Sequence, residues 1–206
     1  PVDSIKDYTP VVQLFSSPYF LASSTTVEAN NMKELVEFAK RNPGKLTYAT
    51  TGIGSGAHLQ GEAINMAAGT QMLHVPYAGN NSMMAVNDLI SGRVDLYLAD
   101  LNSFQQHAAV GKLKLIAFVD KTRSKLRPDI GTLNEALPNA YNLVVWWGIL
   151  GPAGLPRPIV DRFNAEAGKA LADPNLAAKM TTITIIAPSP NAPEEFARQI
   201  KSDVDN

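Results

Sequence analysis

Short apolar runs alternate with helix-patterned segments along most of the chain, and that alternation is the strongest constraint on its fold. Strands interleaved with helices build α/β layers, whereas segregated folds keep their strands and helices in separate runs. The expected strands lie at residues 11–15, 19–22, 45–50, 72–75, 94–98, 113–119, 143–150 and 183–186. Between them the pattern predicts a helix capped by Asn31 and running to about Lys40, then helices at 57–68, 82–90, 104–110, 158–171, 174–179 and 193–200. Local chemistry supports these ends: Pro43-Gly44 breaks the first helix, and Pro158 suits a first helical turn. Residues 123–142 interrupt the rhythm with Pro128, Gly131 and Pro138, leaving room for only a short helix. That stretch reads as a connecting segment and a candidate crossover between lobes.

At 206 residues the chain is one large domain or two small ones. Lys plus Arg is 18 against 19 Asp plus Glu, a net charge of -1 that argues against a nucleic-acid or membrane-surface binder. The absence of cysteine removes disulfides, thiol nucleophiles and thiolate metal sites, and assigns no compartment. No apolar run reaches the ~18 residues of a membrane span. The chain opens on Pro1-Val2-Asp3 with neither an initiator Met nor a signal peptide and closes on Asp205-Asn206. It reads as cut at both ends, by processing, by an expression boundary or by an incomplete reading frame.

The loop Thr51-Gly52-Ile53-Gly54-Ser55-Gly56 is the strongest local feature. A strand that feeds a glycine turn and then a helix aims backbone N–H groups and the positive end of the helix dipole at one spot. Thr51 and Ser55 add hydroxyls. The alternative is structural, with Ser55 capping its helix and the glycines making the turn. Gly52 to Ala57 also fits the G-x-G-x-x-A dinucleotide fingerprint. That fingerprint needs a carboxylate about 20 residues on, and 74–78 is His-Val-Pro-Tyr-Ala. Ser55 lacks the glycine offsets of a nucleophile elbow. His58, His74 and His107 are far apart in sequence and show no metal-ligand spacing. His58, in the first helical turn, reads as structural. Asp100, ending a strand, reads equally as a helix cap and as a ligand contact. Trp146 and Trp147 face opposite sides of their strand, which reads first as two packing aromatics, with one of them available to line a cleft only where another feature places one there. No catalytic set emerges, which favours a binder over an enzyme.

From Tyr48 to Leu59 the sequence Tyr-Ala-Thr-Thr-Gly-Ile-Gly-Ser-Gly-Ala-His-Leu resembles the Bug, or TctC-like, family of extracytoplasmic solute receptors. Matching blocks follow in family order: 74–79, 92–96, 111–117, 128–135 and Trp146 to Pro156. The resemblance implies a two-lobed α/β fold like the type II periplasmic binding proteins, closing on a small carboxylate in an interlobe cleft. It also implies periplasmic delivery of di- or tricarboxylates, acidic amino acids or aromatic carboxylates to the membrane subunits of a tripartite tricarboxylate transporter. Thr51, Gly52, Gly54 and Ser55 would cradle the carboxylate, and Asp100 would select the distal group. His58, Tyr77 and Trp146 complete the expected site, with no cofactor, no metal and no nucleic acid. Two departures stand out: Ala78 replaces a common family lysine, and about one hundred residues that usually precede the equivalent of Pro1 are missing. The first lobe is therefore expected to be incomplete, with 1–18 its remnant, 19–145 the second lobe and 146–206 the rest of the first. Its sheet edges would favour association, whereas the complete receptor is expected to be monomeric. The competing reading is a nucleotide-binding enzyme that uses Gly52–Ala57. An effector-sensing half of a regulator gains no support, because no helix-turn-helix is present.

Overall fold

The computed structural model describes residues 2–77, 81–124, 127–176, 178–179 and 190–205. The expected strand at 183–186 and the substituted position Ala78 lie outside them. The chain divides into two compact units, one of residues 18–145 and one of residues 1–17 with 146–206. The chain passes from one unit to the other within β1 (Tyr8–Pro18) and again within β7 (Val144–Pro152).

Unit 18–145 is built on a five-stranded sheet ordered β4-β3-β5-β2-β6. Its strands are β2 (Phe20–Ser24), β3 (Thr47–Thr50), β4 (Leu73–Pro76), β5 (Leu96–Ala99) and β6 (Leu113–Phe118). β3 pairs in parallel with β4 and with β5, while β2 runs antiparallel between β5 and β6. β3, β4, β5 and β6 therefore all end on one edge of the sheet, the edge at which β2 begins.

The helices show why the sequence pattern was readable. α1 (Met32–Arg41) starts where Asn31 Oδ1 accepts the Glu34 amide at 3.0 Å, and Glu34 reaches back to the Asn30 amide at 2.8 Å. This is a variant of the capping box, in which Glu34 reaches the amide one residue before the cap and the side-chain amide of Asn31 rather than the cap's own backbone N–H. Its Met32, Leu35 and Ala39 face the core. α2 (Gly56–Ala68) is capped by Ser55 and ends at Gly69. Gly61 lets α2 lie on the sheet, since a Cβ there would sit 2.2 Å from the Tyr48 ring. α3 (Ser82–Ser91) and the short α4 (Gln105–Ala109) complete the crossovers. Leu21, Leu35, Tyr48, Ile64, Leu96, Leu98, Ile116 and Leu133 form a continuous buried core.

Residues 123–142 do not cross between the units. They fold back onto 18–145 through α5 (Leu133–Ala136), where Leu133 is fully buried and Thr132 caps the helix and bridges Phe118. Arg123 clasps Glu135 at 2.6 Å. Proline and glycine ended the regular pattern here, but the apolar side chain of Leu133 still anchored the segment to the core.

In the other unit, β1 and β7 pair as a two-stranded sheet, with α6 (Arg157–Leu171) and α7 (Pro193–Asp205) beside it. Residues 174–176 and 178–179 are also helical. Gly148 admits the Phe196 ring, which would lie 2.3 Å from an added Cβ. Asn164 ties α6 to the Val11 carbonyl at 2.9 Å and to the Asn191 carbonyl at 2.8 Å.

Candidate functional site

The residues that follow the parallel strands gather at their shared edge: Thr51 to Ser55 after β3, Tyr77 after β4 and Asp100 after β5. Tyr19 joins them from the start of β2, since Phe20 pairs with Ala99. Strand ends are where open α/β sheets hold ligands.

Gly52 (φ 140°) and Gly54 (φ 78°) adopt backbone conformations that a side chain would strain, so this turn depends on its glycines. The sequence suggested a loop of free amides, yet the chain already uses three of them. The Gly52 amide donates to Thr50 Oγ1, the Gly54 amide to His58 Nδ1 and the Ser55 amide to the Gly52 carbonyl, each at 3.2 Å. Among the described residues the amides of Thr51, Ile53 and Gly56 have no partner. Ser55 Oγ accepts the His58 amide at 3.3 Å, which leaves its hydroxyl proton free to donate. Ser55 is thus a helix cap and a potential anion donor together. The positive end of the α2 dipole adds ~0.3–1 kcal/mol per exposed negative charge, and up to ~2 in a partly buried geometry.

His58 and His74, distant in sequence, stack with ring centres 4.1 Å apart. His74 Nε2 lies 2.6 Å from Thr50 Oγ1, and Tyr48 stacks against His74 at 5.1 Å. Tyr48 Oη donates to Glu62 on α2. Burial, with His58 as a second cause, lowers the pKa of His74, and Glu62 opposes this. Burial and Glu62 together raise the Tyr48 phenol well above its ordinary value.

Tyr77 is committed to the protein, donating to Asp88 Oδ2 at 2.8 Å while Arg93 Nη1 holds Asp88 Oδ1 at 3.0 Å. Burial first and Asp88 second push the Tyr77 phenol up to about 12. Asp100 accepts the Ser103 amide at 3.2 Å and so caps the 3-10 turn Leu101–Ser103, yet it remains partly exposed. Two residues that the sequence reading missed adjoin it. Burial and then Asp100 raise the Tyr19 pKa, and the Ala57 amide opposes them. Tyr97 is pushed up to about 12 by the same two causes in the same order, and its hydroxyl is buried with no hydrogen-bond partner among the described residues. The only sequence signal for either was a tyrosine near the end of a strand at this edge.

Trp146 belongs to the other unit, where its indole donates to Asp203 Oδ2 at 2.7 Å and meets Phe196 edge-on at 4.8 Å. The open tryptophan is Trp147, stacked on Phe15 at 4.9 Å and 43% exposed. Among the described residues no group of three His, Asp or Glu side chains is placed to hold a metal.

The chain is similar to known proteins in sequence and fold. A protein of Pseudomonas sp. strain P51, described as a UPF0065 protein in the tcbD-tcbE intergenic region, is 32% identical over 207 residues, covering 100% of this chain and 60% of the relative. A solved structure described as a periplasmic transporter superposes with a TM-score of 0.85 at 36% identity, covering 100% of this chain and 67% of that one. The periplasmic binding protein BugD superposes with a TM-score of 0.81 at 28% identity, covering 98% of this chain and 68% of that one. The chain thus has the α/β fold of the Bug-type periplasmic binding proteins and spans about 60% of the length of its curated relative. The model of the tripartite tricarboxylate transporter family receptors matches residues 1–205, and the chain belongs to that family.

Proposed function

We propose that the chain is the greater part of a periplasmic solute receptor that binds a small carboxylate and hands it, unreacted, to the membrane subunits of a tripartite transporter. In this reading residues 19–145 are the second lobe, and residues 1–18 with 146–206 contribute to the first. The observation that carries the reading is the loop after β3. Three unpartnered amides and the Ser55 hydroxyl stand at the start of α2, on the edge where the parallel strands end. Donors in that arrangement match an acceptor-only carboxylate. Asp100 and the unpartnered Tyr97 hydroxyl supply an acceptor and a donor for the solute's far end, which favours a solute with a second polar group.

A thermal-shift panel on the 206-residue chain tests the proposal with malate, citrate, glutamate, nicotinate, terephthalate and NAD. A carboxylate at a hundred times its Kd adds about 2.7 kcal/mol, or roughly 5 °C or more at this size. Ser55→Ala is expected to weaken the response to every carboxylate, and Asp100→Ala to change which carboxylate is preferred. A panel in which only NAD shifts the melt, or one that Ser55→Ala leaves unchanged, overturns the reading.

A further inference from the structure

The glycine loop is held at two points, and a histidine stands behind each. His58 Nδ1 accepts the Gly54 amide at 3.2 Å. His74 Nε2 lies 2.6 Å from Thr50 Oγ1, the atom that accepts the Gly52 amide at 3.2 Å. The two rings stack at 4.1 Å, so a shift of one is felt by the other. We infer that His58 and His74 are positioning residues that clamp the loop in its binding conformation, and that protonation of His58 releases the Gly54 end, so that carboxylate binding weakens in acid. The inference rests on the loop being the carboxylate site.

An imidazole nitrogen accepts an N–H only while it carries no proton, and protonation turns it into a donor facing a donor. The groups facing the pair come from three elements: Glu62 from α2, Tyr48 from β3, and each histidine toward the other from α2 and β4. Glu62 favours a charged ring, but it already accepts the Tyr48 hydroxyl. The stacked neighbour disfavours two charged rings at once. A competing effect has the opposite sign, because an imidazolium beside the loop would attract the anion directly. The direction of the pH dependence therefore separates a clamp from a ligand contact.

The ligand-free 206-residue chain is followed first by 15N NMR from pH 5 to 8. The Gly54 amide is expected to move with the His58 ring and to exchange faster in acid. Malate affinity is then measured calorimetrically over the same range for the wild type, His58→Asn and His58→Ala. The asparagine oxygen replaces the Nδ1 acceptor without titrating. His58→Asn is therefore expected to bind within about threefold of wild type at pH 7.5 and to lose the roughly tenfold weakening of the wild type at pH 5.5, the worth of one hydrogen bond. His58→Ala is expected to bind weakly throughout. Malate's own protonation is common to all three proteins and cancels. A Gly54 amide indifferent to pH, or wild-type binding that tightens in acid relative to His58→Asn, overturns the inference. If Gly54 follows His58 but no carboxylate of the panel binds at any pH, the clamp stands. The carboxylate reading then falls, and the binding half of the inference with it.

Discussion

Residues 18–145 and the paired segments 1–17 and 146–206 bury their apolar side chains very differently. In the first, a five-stranded sheet carries fully buried Tyr48, Leu96, Leu98 and Ile116, and α1, α2 and α5 close over it. In the second, the described residues form a two-stranded sheet, a small cluster of Val11, Val12 and Val160, and the buried Phe196 and Ile200 of α7. Fifteen-residue α6 buries only Val160 and Leu171 and leaves Ile159 and Phe163 about half exposed. Those two, with Pro158, Arg162 and Glu166, line an open pocket. Among the described residues, the larger unit has the more extensive apolar cluster beneath its strand-end edge, and the described buried apolar side chains of the smaller unit are fewer.

Core truncations give the largest expected effects. Leu98→Ala, on a central strand and 1% exposed, should cost about 2–5 kcal/mol. Val160→Ala, in the smaller cluster, removes two methyl groups and should cost about 1–2 kcal/mol. Urea denaturation followed by circular dichroism measures both. Equal costs would break the ranking of the two units.

Two caps within the larger unit sharpen the same point at a finer scale. Asn31→Ala and Ser55→Ala each remove a side chain that accepts the amide three residues on, worth about 0.5–2 kcal/mol. Thermal melts should show similar losses. Only Ser55→Ala should also weaken carboxylate binding, because Asn31 caps α1, away from the strand-end edge. A binding loss with Asn31→Ala would mean that Ser55 acts only through stability.

These contrasts follow what was legible in the sequence. Asn31 and Ser55 announced their helices because capping is local chemistry, and the strand–glycine–helix run from Lys45 to Ala68 was readable for the same reason. The stacking of His58 on His74 was not readable, because it depends on β4 lying beside β3, which no spacing in the chain encodes. Nor was the use of the Gly52 and Gly54 amides, which are taken by the side chains of Thr50 and His58. Residues 123–142 were misread because prolines and glycines mark the end of a pattern without saying where Leu133 will pack. For Trp146 and Trp147, alternation predicted opposite faces but not which face Asp203 and Phe196 would cover.

The smallest expected effect compares one acid-sensitive ion pair in each unit. The hydrogen bonds from Tyr77 and then from Arg93 hold the Asp88 carboxyl below the usual carboxylate range. The unfolded chain therefore binds this proton first as pH falls through about 4, so the stabilisation is present above that pH and is lost on acidification through the folded-state pKa. Tyr77→Phe removes the leading cause and should flatten this part of the acid limb. In the other unit Glu194 is also held low, by its own backbone amide and then by Arg157, but both side chains are at least half exposed and solvent screens the pair. Arg157→Ala should therefore leave the acid limb nearly unchanged. Acid titrations of stability, compared as slopes below pH 5, measure both variants against wild type. An Arg157→Ala change as large as that of Tyr77→Phe would place comparable electrostatic stabilisation in the smaller unit, and the contrast between the units would then be one of apolar burial alone.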